Sequence, residues 1–232
     1  MVFSDISADL LAHCGRVAGE MGVGERCRFL QAAADDLDPI GEASVDIVTT
    51  RSVLIYVKDK AAAFREFHRV LRRGGRLSIY EPINQLMVAP GCLFGHLGHD
   101  SLPIADLEAK LETLYASIQD PETDPMVDFD EQDLLALAEE AGFEEVHLEL
   151  RVDVAPGSHG LPWETFVNSS GNPLVPTLRE AIDQALTPEE AARLEFHLRP
   201  LVEQGRGRRR LAAAYLWATK DAARINAGSA RC

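Results

Sequence analysis

Short apolar runs alternate with helical repeats along the first third of the chain. Val2 and Phe3 read as the end of a β-strand, Asp5 sits at its tip, and Ser7 is a helix N-cap ahead of Leu10, Cys14, Val17 and Met21 at helical spacing. Residues 28–31 form a second short strand, followed by a loop to Pro39, and Val45 to Thr50 form a buried strand. Asp59 caps a helix on which Phe64, Phe67, His68 and Leu71 share a face. Arg72-Arg73-Gly74-Gly75 is read as its stop, with glycine in the left-handed cap and arginines suiting the negative end of the helix dipole. Residues 76–81 are the next strand, ended by Pro82.

The pattern then changes. Residues 84–102 are irregular and rich in glycine and histidine, and helices are expected near 103–118 and 130–141, the second ended by Gly142-Phe143. A strand with alternating apolar residues follows at 146–154. Residues 160–205 read as mostly helical, with Leu194, Leu198 and Leu201 in one row and Thr187-Pro188-Glu189-Glu190 as a cap with proline at the first helical position. Leu211 to Thr219 form a last strand, and 221–232 are a frayed tail. Strands alternating with helices imply an α/β fold, a mostly parallel sheet with helices on both faces. The expected organisation is one domain over 1–220: a cofactor half at 1–84, a helical substrate or lid insertion at 84–205, and the strand at 211–219.

Charge and cysteine content narrow the function classes. A net charge of −14 argues against a nucleic-acid backbone as partner. Arg206, Arg208, Arg209 and Arg210 make a local basic patch, read as a solvated loop before the last strand. Cys14, Cys27, Cys92 and Cys232 are scattered, so neither a metal site nor a disulfide framework is expected. Reduced thiols, the lack of a signal peptide and the lack of a spanning apolar run point to a cytoplasmic protein without a membrane partner. The oligomeric state has no signature in the sequence.

Four segments taken in order resemble a known family. Val2-Phe3-Ser4-Asp5-Ile6-Ser7, Phe29 to Leu37, Ser44 to Leu54 and Phe67 to Leu77 resemble the second to fifth strand regions of class I S-adenosylmethionine-dependent methyltransferases of the small-molecule type. Ala138-Glu139-Glu140-Ala141-Gly142-Phe143 resembles the helix entering that family's sixth strand, and 211–219 its antiparallel seventh. The resemblance implies a Rossmann-like fold, S-adenosyl-L-methionine as cofactor, and methyl transfer to a small-molecule acceptor.

The chain also departs from the family pattern. The family's first strand and its glycine-rich turn have no counterpart: Gly22-Val23-Gly24 follows a helix, and Gly91, Gly95 and Gly98 lie in an irregular stretch. That strand lies mid-sheet in the family, so the resemblance leads to the expectation of a missing N-terminal segment of at least about 30 residues. Two other readings stay open here. One is a methyltransferase-like domain unable to hold cofactor, and the other a nicotinamide-dependent Rossmann enzyme, whose ribose Asp5 would suit equally.

The resemblance also assigns candidate site residues. Asp5 would accept the ribose hydroxyls, Ile6 would stack on adenine, and Ala33, Ala34 and Asp35 would flank the adenine edge. Thr50 and Arg51 would face the methionine part, with Arg51 pairing its carboxylate. Among acceptor-side candidates, Tyr56, Glu81, His96 and His99 lie in loops beyond strand ends, where open α/β sheets build their sites, and the two histidines titrate in the range of a general base. Trp163, Phe166 and Trp217 are either acceptor-pocket walls or core. No metal is expected.

Overall fold

The computed structural model describes residues 1–87, 93–94, 102–120, 123–156, 160–170, 175–206 and 208–220. The chain divides into two compact units, one of Met1–Glu81, Glu131–Glu149 and Ala214–Cys232, the other of Pro82–Asp130 and Leu150–Ala213.

The first unit begins with strand β1 (Val2–Asp5), helix α1 (Ala8–Glu20) and strand β2 (Arg28–Gln31). The two strands pair in parallel from Val2↔Arg28 to Asp5↔Gln31 and form a sheet of their own. Phe3 stacks on Phe29 across this pair, with ring centroids 5.3 Å apart. Ser7 caps α1 as expected, its Oγ accepting the Leu10 N–H. The row Leu10, Val17 and Met21 is exposed, however, and α1 buries Leu11 and Ala18 instead.

A second sheet holds strand β3 (Val45–Arg51), strand β4 (Leu71–Pro82), strand β5 (Glu145–Pro156) and strand β6 (Arg208–Thr219) in the order β3-β4-β6-β5. β3 and β4 are parallel, with Arg51 opposite Tyr80. β6 runs antiparallel to β4: Gly74 donates to the Lys220 carbonyl and Lys220 to that of Gly75, while farther along Ile83 donates to Ala212. The last strand is thus antiparallel, as expected, but it begins at Arg208, so Arg208, Arg209 and Arg210 belong to the strand and not to a preceding loop. The inward rows Leu71, Leu77 and Ile79 of β4 and Ala214, Leu216 and Ala218 of β6 are buried. So are the apolar faces of helix α2 (Lys60–Val70) and of helix α4 (Glu131–Glu140). Ile47, Tyr215 and Trp217 on the outward rows stay exposed.

The Arg72-Arg73-Gly74-Gly75 segment corrects one expectation. α2 ends at Val70 with Leu71 already extended, and no glycine caps it. The four residues form an irregularity inside β4, where the β3 partner jumps from Leu71 to Arg76. Gly74 sits at φ +73°, with open space where a Cβ would project. A Cβ on Gly75 would lie 2.7 Å from the Arg72 carbonyl oxygen. Gly74→Ala therefore tests backbone strain alone: it is expected to lower unfolding free energy by about 1 kcal/mol in urea titrations.

In the second unit, helix α3 (Ala105–Ile118), helix α5 (Trp163–Val167), helix α6 (Leu178–Ala185) and helix α7 (Pro188–Glu203) enclose one core. Leu107, Leu111, Trp163, Ile182, Leu194 and Leu198 are among its members. Capping boxes start α6 at Thr177 with Glu180 and α7 at Thr187 with Glu190, with Pro188 in the first turn. The buried row of α7 runs from Leu194 and Leu198 to Val202, not Leu201.

Candidate functional site

The described candidate residues of the first unit fall at the carboxyl ends of strands in two different sheets, Asp5 at the tip of β1 and Thr50 and Arg51 at the end of β3. At the tip of β1, Asp5 is half-buried, and its Oδ1 accepts the Ser7 N–H at 2.8 Å. Asp5 thereby orients the residue that caps α1, an Asx-type turn continued by a serine cap. Its second carboxylate oxygen has no partner among the described residues. Ile6 is 70% exposed, and its carbonyl accepts the Gln31 side-chain amide, which ties the ends of β1 and β2 together.

The chain after β2 stays beside Asp5. Ala32 donates to the Asp5 carbonyl, and Asp36 donates back to Ala33 in a tight turn that holds Ala33, Ala34 and Asp35. The chain leaving this turn is fastened to α2. Glu66 accepts the Leu37 N–H at 2.7 Å, and Arg69 donates to Glu66 through two nitrogens, to the Ile40 carbonyl and to the Leu37 carbonyl. Both side chains are shielded from solvent over more than two thirds of their surface. The Arg69 hydrogen bond holds the Glu66 carboxyl below its ordinary value, against the opposing effect of burial. Neither residue was among the sequence candidates, although their i,i+3 spacing on a helix was visible.

At the end of β3, the Thr50 Oγ1 is buried and has no hydrogen-bond partner among the described residues. Such an orphan is uncommon in a folded interior. Arg51 is exposed, and its guanidinium lies 5.0 Å from the centroid of the Tyr80 ring. Ser52 takes a left-handed backbone at φ +52°, and its N–H donates to the Tyr80 carbonyl. Tyr56 is about half exposed at the end of the short 3-10 turn Leu54–Tyr56.

Glu81, at the end of β4, is fully buried, unlike Tyr56. Its Oε1 accepts the Val53 N–H at 2.9 Å, and its Oε2 lies 3.4 Å from the Ile55 N–H. Burial pushes its carboxyl above the usual range, opposed by the amides of Val53, Leu54 and Ile55 and by the charge of Lys60. His96 and His99 lie outside the described residues. Trp163 belongs to the core of the second unit, packed on Phe166, whereas Trp217 lies on the outward face of the sheet, stacked on His147. Among the described residues no group of His, Cys, Asp and Glu is arranged to hold a metal ion. No helix among them is long and apolar enough to cross a membrane.

The end of β1 provides a carboxylate with an unengaged oxygen, an exposed apolar neighbour and turn amides beside them, and the end of β3 a buried hydroxyl followed by an exposed arginine. Such a set suits a nucleoside-type ligand outside the carboxyl ends of strands.

Comparison with known proteins bears on the same segment. Residues 1–79 match the family described as a methyltransferase domain. The ubiquinone/menaquinone biosynthesis C-methyltransferase of Hahella chejuensis is 40% identical over 81 residues, which is 35% of this chain and 32% of that protein. The tRNA 5-carboxymethoxyuridine methyltransferase of Escherichia coli K12 is 30% identical over 79 residues, 34% of this chain and 30% of that protein. The chain thus spans about a third of the length of these curated relatives. Among solved structures, the YcgJ protein of Bacillus subtilis superimposes with a TM-score of 0.52 at 16% identity, covering 95% of this chain and 82% of that one. A candidate methyltransferase from Bacillus halodurans C-125 gives 0.50 at 19%, covering 95% and 83%. These likenesses establish the fold, a Rossmann-like α/β arrangement.

Proposed function

We propose, from the match of residues 1–79 to a methyltransferase-domain family, that the chain is an S-adenosylmethionine-dependent methyltransferase that binds S-adenosyl-L-methionine at the β1, β2 and β3 strand ends and transfers its methyl group to a small-molecule acceptor. The observation that carries the reading is Asp5: a strand-tip carboxylate with one oxygen fixed by the Ser7 amide and one left for a ligand. Its neighbours fit the same ligand. Ile6 offers an exposed apolar surface for a base, the turn at Ala33, Ala34 and Asp35 lies beside the Asp5 backbone, and the Thr50 hydroxyl awaits a partner. Arg51 supplies a cation for a carboxylate.

The cofactor supplies an electrophilic methyl group on a sulfonium. The protein's part is to hold donor and acceptor in line and, where the acceptor atom carries a proton, to take it. Tyr56, exposed on the turn after β3, is the acceptor-side candidate among the described residues, with His96 and His99 as the sequence-based alternatives.

The net charge of −14 favours a small molecule as acceptor over a polyanion. The likeness to a tRNA methyltransferase supports an RNA acceptor as a second reading. Calorimetric titration with S-adenosylhomocysteine, with NAD as control, tests the cofactor. Saturable binding of the former alone is the expected result; preference for NAD, or binding of neither by folded protein, overturns the reading.

A further inference from the structure

A general base must reach the atom it deprotonates, and the carboxylate of Glu81 does not reach solvent: it is buried and faces the amides of Val53 and Ile55. We propose that Glu81 is a positioning residue, whose carboxylate fixes the 52–57 turn at the end of β3 and so sets the donor side of the site. The proposal rests on the cofactor reading above.

Four hydrogen bonds frame this turn. Ser52 donates to the Tyr80 carbonyl at 2.8 Å, Val53 and Ile55 donate to the two Glu81 oxygens, and Lys60 Nζ donates to the Val57 carbonyl at 3.0 Å. A frame is needed because Ser52 stands in a left-handed conformation that a serine rarely adopts, and such strain persists only where the surroundings over-determine it. Leu54 and Ile55 are buried and anchor the turn from below, while Tyr56 stays exposed. The turn continues directly from Thr50 and Arg51. Its geometry therefore decides where the Thr50 hydroxyl, the Arg51 guanidinium and the Tyr56 phenol stand. Lys60 is itself buried and is the cation that acts on the Glu81 carboxylate.

Glu81→Gln keeps the volume and one acceptor oxygen but turns the second position into a donor facing an amide. Hydrogen exchange at the Val53 and Ile55 amides is expected to accelerate about tenfold in this variant, with thermal unfolding still cooperative. Its S-adenosylhomocysteine affinity is expected to fall about tenfold, the equivalent of one lost charge-assisted hydrogen bond. Unchanged exchange overturns the frame, and faster exchange with unchanged affinity overturns its link to the donor. If Glu81→Gln does not fold, Glu81→Asp, which keeps the charge and shortens the reach, is read in the same two ways. Failure of the wild-type protein to bind S-adenosylhomocysteine overturns the cofactor reading itself and the donor link with it. The exchange measurement still separates that result from a failure of the frame.

Discussion

Asp5→Ala is expected to weaken S-adenosylhomocysteine binding by about 100-fold in calorimetric titration while leaving the protein folded. In the proposed site the Asp5 carboxylate would accept the ribose hydroxyls, its unengaged oxygen taking the larger share. Charge-assisted hydrogen bonds of this kind together contribute about 3 kcal/mol when the partner is otherwise left unpaired. The effect on stability is expected to be much smaller. Among the described residues Asp5 makes one side-chain hydrogen bond, to the Ser7 amide at the start of α1, and loss of such a local turn contact costs about 1 kcal/mol. Asp5→Asn separates the two roles. It keeps an oxygen for Ser7, so stability is retained, but it replaces a charged acceptor by a neutral amide, and affinity falls by an intermediate factor. A weakening that tracks the unfolding midpoint across both variants, or unaltered binding in Asp5→Ala, would rule out a direct contact between Asp5 and the ligand.

Asp5 and its cap were legible because the side-chain hydrogen bonds involved are local. Strand tip, acid and Ser7 lie within six residues, and the N-cap hydrogen bond spans three. Residues 28–31 were legible for a similar reason, being a short apolar run bounded by a turn. The buried face of α1 was not. The repeat of Leu10, Cys14, Val17 and Met21 satisfies helical spacing, but spacing does not say which flank of a helix meets a neighbour, and here Leu11 and Ala18 do. The same holds for Gly74-Gly75. Two glycines after a helix read as a cap, while their actual role depends on Lys220, nearly 150 residues away. Glu81 was legible as an acid at a strand end, but its environment was not. Its partners Val53 and Ile55 lie 28 and 26 residues earlier and offer only backbone amides, which leave no trace in side-chain pattern. The separation of β1 and β2 into a sheet of their own is likewise a matter of pairing partners and not of strand sequence.

The fastening of the β2 turn to α2 leads to the other large effect. Arg69→Met is expected to lower unfolding free energy by about 2–3 kcal/mol. It removes a double contact to Glu66, takes the guanidinium donor from the Ile40 carbonyl and leaves the Leu37 carbonyl with the Ile40 N–H alone, in a half-buried setting. The estimate stays below that for a fully buried pair because part of each side chain remains in water. The pH dependence gives a second signature. Glu66 is held below its reference value of 4.5, first by the Arg69 hydrogen bond. A carboxylate with a depressed folded-state value contributes stability that is complete above its unfolded value and is lost as pH falls through the folded one. Wild-type protein should therefore lose this contribution on acidification below about pH 4.5, and Arg69→Met should show a shallower loss over the same range. The substitution is also expected to weaken S-adenosylhomocysteine binding, since the released segment begins at Leu37, directly after the turn holding Ala33, Ala34 and Asp35. Urea titrations at pH 7 and pH 4, with binding measured at pH 7, test all three effects. Equal acid sensitivity in the two proteins would show that the Glu66–Arg69 pair does not fasten this turn.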